Sequence, residues 1–159
     1  MLCVVQRVSS ASVAVDDPPS RAAIARGLCV LLCVEQGDVD ADAAWIAGKL
    51  ARLRIFPDDA GKMNRSVQEV GGAVLLVSQF TLAGDCARGN RPSFVGAAPP
   101  EDARRLCERV AALLQREHTL QVAQGVFGAH MHVTIENDGP VTLIVRTAGL
   151  GDSGLGVRS

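Results

Sequence analysis

Aromatic side chains are nearly missing: the 159-residue chain has no tyrosine, four phenylalanines and a single tryptophan, Trp45. Proteins that stack along single-stranded nucleic acid use several exposed rings, so that mode is disfavoured. An excess of charge of one sign is missing too. Sixteen basic against 17 acidic residues leave a net charge of -1, which excludes a polycation that holds nucleic acid by bulk charge but leaves room for a local basic patch. Lysine is scarce. Only Lys49 and Lys62 occur, so 14 of the 16 basic residues (16 minus 2) are arginine. That bias reads mainly as genome composition, with phosphate recognition as the second reading. Long apolar runs are absent: the longest, Leu28 to Val34, has seven residues, against the ~18 that cross a bilayer. The opening Met1-Leu-Cys-Val-Val-Gln-Arg7 places its arginine after the apolar run, the reverse of a secretory leader. Five cysteines without a C-x-x-C pair do not make a disulfide framework. A cytoplasmic protein with free thiols and no membrane contact is expected.

Nucleotide-binding glycine loops are also lacking. Nothing matches G-x-x-x-x-G-K-[ST], or G-x-G-x-x-G before a helix. No G-x-S-x-G elbow surrounds Ser78 or Thr81. His130 and His132 lie two apart without a third ligand at a recognised spacing, so no metal and no cofactor are expected.

What is present is one domain's worth of patterned chain. Strands are predicted over Met1–Val8, Ser12–Val15, Leu28–Val34, Ala73–Gln79, His130–Asn137 and Val141–Val145, with a short piece at Arg54–Phe56. Asp16 to Pro19 is a turn. Asp38 or Asp40 caps a helix that runs to about Arg52, and Pro100 opens a second that continues to about His118. The expected class is α+β: a mixed, mostly antiparallel sheet curling toward a barrel, with two main helices. The domain is expected over residues 1–147, followed by a glycine-rich flexible tail over 148–159.

Three segments could carry chemistry. Ser78-Gln79-Phe80-Thr81-Leu82 ends a buried strand just before the aperiodic, glycine-bearing stretch 83–99; long loops of that kind are more often functional than not. On pattern alone it is equally a strand end with turn hydroxyls. Asn137-Asp138-Gly139-Pro140-Val141-Thr142 reads on pattern alone as a hairpin turn. The His130/His132 pair reads as a solvated strand face.

Taken in order along the chain, these segments resemble the D-aminoacyl-tRNA deacylase family, from Met1 to about Val145. Gln6-Arg7-Val8 with Ala11-Ser12-Val13, Arg54-Ile55-Phe56 through Gly61-Lys62-Met63-Asn64, the 78–82 and 137–142 motifs, and Arg91-Pro92-Ser93-Phe94 carry the resemblance. The resemblance implies hydrolysis of the ester between a D-amino acid, or glycine, and the 3′-terminal adenosine of tRNA, with no cofactor and no DNA partner. It implies catalysis around Ser78, Gln79, Phe80 and Thr81, with the main-chain N–H groups of the last three serving the pocket and oxyanion. The terminal ribose 2′-OH would assist proton transfer, the rival being Thr81 as a covalent nucleophile. It also implies a homodimer in which a cis Gly139-Pro140 enters the partner's pocket and excludes L side chains. Arg7, Met131 and Asn137 are expected to support substrate binding and chiral selection, and Arg88 and Arg91 to contact RNA. The competing expectation is a non-catalytic binder of aminoacyl-tRNA 3′ ends on the same fold.

Overall fold

The computed structural model describes residues 1–17 and 19–148. Its first element is a fourteen-residue strand, β1 (Leu2–Val15), where two short strands were predicted. The polar pair Ser9-Ser10 marks an irregularity, not an end. Burial alternates along β1 but slips at Arg7 and Val8, where pairing to the last strand shifts register. A bulge bends a strand while keeping it continuous.

β2 (Ser20–Ile24) returns as a hairpin on the far half of β1, with Ala11 opposite Ile24. Its Ser-Arg-Ala-Ala stretch lacks β-branched residues, which is why it escapes a pattern reading. β3 (Gly27–Cys33) pairs antiparallel with the near half of β1, Leu2 opposite Cys33. After α1 (Asp40–Arg52) comes a small hairpin, β4 (Phe56–Pro57) with β5 (Met63–Arg65). β6 (Ala73–Ser78) lies parallel to β3. A Cβ on Gly27 would sit 1.9 Å from the Ala73 carbonyl oxygen, so only glycine allows that approach. α2 (Pro100–Arg116) leads to β7 (Gln121–Gln124), parallel to β6 and likewise unpredicted. β8 (His132–Arg146) runs antiparallel along the free edge of β1. Two strands were predicted there; they are one.

The sheet order is β2-β1-β3-β6-β7, with β8 on the other edge of β1. β2 packs back against β6 and β7, so the mixed, mostly antiparallel sheet nearly closes into a barrel, as predicted. One face carries α1 and α2 over Leu28, Val30, Leu32, Ile46, Leu50, Leu106 and Leu114. The barrel interior holds Val8, Ala11, Val13, Cys29, Leu75 and Val77. Small side chains suit so tight a curl, and the scarcity of aromatics follows from it.

The helix cap differs from expectation. The residue before α1 is Val39, whose N–H donates to the Asp42 carboxylate at 3.0 Å. Asp38 is occupied elsewhere: it accepts from the Met1 ammonium at 2.5 Å and from the Glu35 N–H at 2.6 Å. The tail predicted over 148–159 lies, but for Ala148, outside the described residues.

Just past the end of α2, Thr119 has φ +54°, and the Leu120 N–H closes onto the Leu114 carbonyl at 3.0 Å. A left-handed backbone costs an L side chain roughly 1–2 kcal/mol, and β-branching makes it worse. Thr119→Gly is expected to raise unfolding free energy by about 1 kcal/mol. An unchanged or lower urea midpoint would show that the position is not strained.

Candidate active site

β6 delivers Ser78 to the rim of a cavity of about 460 Å³, within the usual range for small-ligand sites. Gln79 and Phe80 continue the rim. Phe127, His130 and Met131 close the opposite side, and Ala103 and Cys107 of α2 form the floor. Phe80–Ala83 is a single 3-10 turn. The Gln79 N–H donates to the Leu32 carbonyl at 2.7 Å, so it is not available to an oxyanion. The N–H groups of Phe80 and Thr81, first in the turn, meet no acceptor among the described residues. Three main-chain donors were predicted; two are free. The Phe80 ring is 57% exposed and meets Phe94 edge-on at 5.3 Å, so the mouth is apolar.

The cavity is electrically quiet. No carboxylate, lysine or arginine lines it. Burial pushes the Cys107 thiol up to about 12, and burial with the nearby Glu35 charge raises Cys33 as well. Both stay protonated at neutral pH, so neither is a thiolate nucleophile. Thr81 Oγ1 accepts from Gln79 Nε2 at 2.5 Å. Activation of a hydroxyl needs a base that takes its proton, and an amide N–H is the reverse. His132 is drawn away to Asp16 at 3.3 Å, and only His130 of the pair reaches the cavity.

The second motif lies elsewhere. On β8, Thr142 pairs with Gln6 and Asn137 with Val8, so four residues, Asp138 to Val141, are thrown out of the ladder opposite the single Arg7. Arg7 is buried. Its Nη1 donates to the Ile55 carbonyl at 2.6 Å, and its Nε to the Asp138 carbonyl at 3.0 Å and carboxylate at 3.1 Å. The Gly139-Pro140 peptide is cis. Gly139 has φ +140°, and a Cβ there would lie 2.7 Å from the Val141 nitrogen. Asn137, Gly139 and Pro140 are exposed, and none of them, nor Arg7, lines the cavity. Met131 is the one binding residue of that predicted group that does.

A family model described as D-Tyr-tRNA(Tyr) deacylase matches residues 4–146. The chain belongs to that deacylase family. Membership makes it an enzyme, a hydrolase. Relatives curated as D-aminoacyl-tRNA deacylase include that of Geobacter sulfurreducens, 57% identical over 147 residues (92% of this chain, 95% of the relative). That of Heliobacterium modesticaldum is 56% identical over 149 residues (94% and 98%). Among solved structures, one titled c-Myc DNA Unwinding Element Binding Protein superposes with a TM-score of 0.84 at 39% identity, covering 92% of this chain and 99% of its own. A probable eukaryotic D-amino acid tRNA deacylase superposes at 0.77 with 16% identity (91% and 97%), a likeness of fold.

Arg88 and Arg91 are exposed in the stretch after the 3-10 turn and do not line the cavity. Sequence reasoning missed Phe127, whose signal is an apolar pair between Gly125 and Gly128. It also missed Asp138 as the partner of Arg7, which no spacing rule reveals. Replacing a buried arginine with a shorter amide strands two carbonyls and a carboxylate. Arg7→Gln should therefore lower unfolding free energy by roughly 2–4 kcal/mol. A loss below about 0.5 kcal/mol in denaturant titration would deny Arg7 this anchoring role.

Proposed function

We propose that this chain removes D-aminoacyl groups, and glycine, from tRNA in the cytoplasm, working as a homodimer whose two active sites are each built from both copies. The observation that supports it most is the split of the motifs. A cavity lined by no carboxylate, lysine or arginine lies at one place, with the unpartnered N–H of Phe80 on its rim and that of Thr81 next along the chain. An exposed, side-chain-poor bulge at Gly139-Pro140 lies at another, on an edge strand. β8 pairs only with β1 among the described residues, and Ile144 on it is 76% exposed. Uncovered strand edges are templates for pairing. A two-fold axis would send each copy's bulge into the other's cavity, and the exchange would be reciprocal.

Main chain suits chiral exclusion. A Gly-Pro bulge has no flexible side chain to yield, so it can bar the L substituent by overlap while leaving room for the hydrogen of a D residue or glycine. Asn137 flanks the bulge, Arg7 holds it from behind, and Met131 borders the bound amino acid. In the reaction, water attacks the ester carbonyl. The developing oxyanion takes the Phe80 and Thr81 N–H groups. The bond to the ribose 3′ oxygen breaks, and that oxygen leaves with a proton relayed through the 2′-OH. Ser78 and Gln79 shape the rim, the Gln79 amide fixing Thr81.

Single-turnover deacylation of D-, L- and glycyl-tRNA tests this. Rapid release from the D and glycyl forms alone is expected; tight binding without release would favour a non-catalytic binder. Thr81→Ala should keep turnover within about threefold, whereas a loss of about 10³ would make Thr81 the nucleophile. A substrate ending in 2′-deoxyadenosine should be cleaved at least ~10²-fold more slowly, and an unchanged rate would remove the 2′-OH from the mechanism.

A further inference from the structure

Helical spacing places Pro100, Ala103, Arg104 and Cys107 on one face of α2. Pro100, Ala103 and Cys107 border the deacylase cavity. Arg104 borders a smaller hollow of about 110 Å³ that shares Ser78, Cys107 and Phe127 with it. The Arg104 guanidinium lies over the Phe127 ring, its Cζ 4.8 Å from the centroid. Phe127 is thus a wall common to the cavity and the arginine.

Arg104 is exposed and makes no ion pair among the described residues. Its neighbour Arg105 is engaged by Asp40 at 2.7 Å. Glu108, one turn on, also borders the small hollow yet forms no ion pair with it. Glu101, three residues before Arg104 and adjoining it on the helix, forms no ion pair with it either, and Asp102 lies off this face. A guanidinium held over a ring with no ion-pair partner keeps N–H groups free, and a guanidinium's paired N–H groups match a phosphate's oxygens.

We infer that Arg104 binds the phosphate that links the terminal adenosine of the substrate to the nucleotide before it. The inference rests on the deacylase reading of the cavity. An adenosine carrying the ester inside the cavity leaves its 5′ phosphate at the mouth, and the chain of the RNA must continue outward from there. An unpaired cation one ring's thickness from the cavity wall answers that charge. Arg104 is then a positioning residue: it binds ground and transition states alike, so it lowers KM more than it raises kcat.

The test compares two substrates, D-aminoacyl-tRNA and the D-aminoacyl ester of adenosine, which has no phosphate. For Arg104→Gln, KM for the tRNA should rise about tenfold with kcat within about twofold, and the salt slope should fall by about one. Arg104→Lys should recover part of the loss, and the adenosine ester should be cleaved normally by both variants. Equal losses on both substrates would show that Arg104 only props Phe127, and an unchanged KM for tRNA would show that the phosphate goes elsewhere; either overturns the assignment. A wild-type chain that cleaves neither substrate would instead remove the deacylase reading, and this inference with it.

Discussion

The structure turns on a mismatch between its two longest strands. β1 is the common partner of β2, β3 and β8, so an irregularity in it is felt on every side. At Arg7 the ladder with β8 fails, and four residues of β8 face one of β1. The buried guanidinium fills the gap, tying Asp138 on β8 to the Ile55 carbonyl beyond α1. Buried charges are tolerated when they are paired and hydrogen-bonded, and Arg7 has both kinds of partner. The outcome is a main-chain bulge of fixed shape at the surface, pinned from inside by a residue that is itself buried.

The opposite region shows the complementary economy. The cavity offers a main-chain donor, a serine, an amide, the His130 imidazole and apolar walls, with no carboxylate, lysine or arginine. Acyl transfer to water needs an oriented water, a proton route and stabilisation of the oxyanion. In the proposed mechanism the chain supplies the last through the backbone N–H groups of Phe80 and Thr81, just past the end of β6. The substrate's own ribose supplies the proton route in the proposed mechanism. Under the proposed exclusion, selectivity is exercised at the α-carbon and not on the side chain, which suits a deacylase that accepts varied D side chains.

Much of this was legible in the sequence. The apolar runs at Leu28 and Ala73, the stripe of α1 and the Pro100 start of α2 gave class and layering. Of the two motifs, the first lies at the rim of the cavity and the second forms the surface bulge. β2 and β7 were missed because Ser20–Ala23 has no β-branched residue and Gln121–Gln124 has only Val122, too little to mark strands whose pairing is decided by neighbours. The splits predicted in β1 and β8 failed for one reason: Ser9-Ser10 and Gly139-Pro140 are break signals locally, while long-range pairing carries both strands across them as bulges. Asp38 was misread as a cap because no local rule foresees that an ammonium 37 residues away claims it. The Gln79 N–H was misassigned likewise, its acceptor, Leu32, lying on the parallel neighbour.

The central claim is that each active site joins one copy's cavity to the other copy's bulge. Two variants, each inactive alone, test it directly. Ala129→Phe fills the cavity, and Pro140→Trp makes the bulge too large for a partner's cavity. Co-expressed with different tags and purified as the mixed dimer, they leave one intact cavity facing one intact bulge. The account predicts recovery of about half the wild-type turnover on D-aminoacyl-tRNA, one site of two. A purified mixed dimer as inactive as its parents would contradict it.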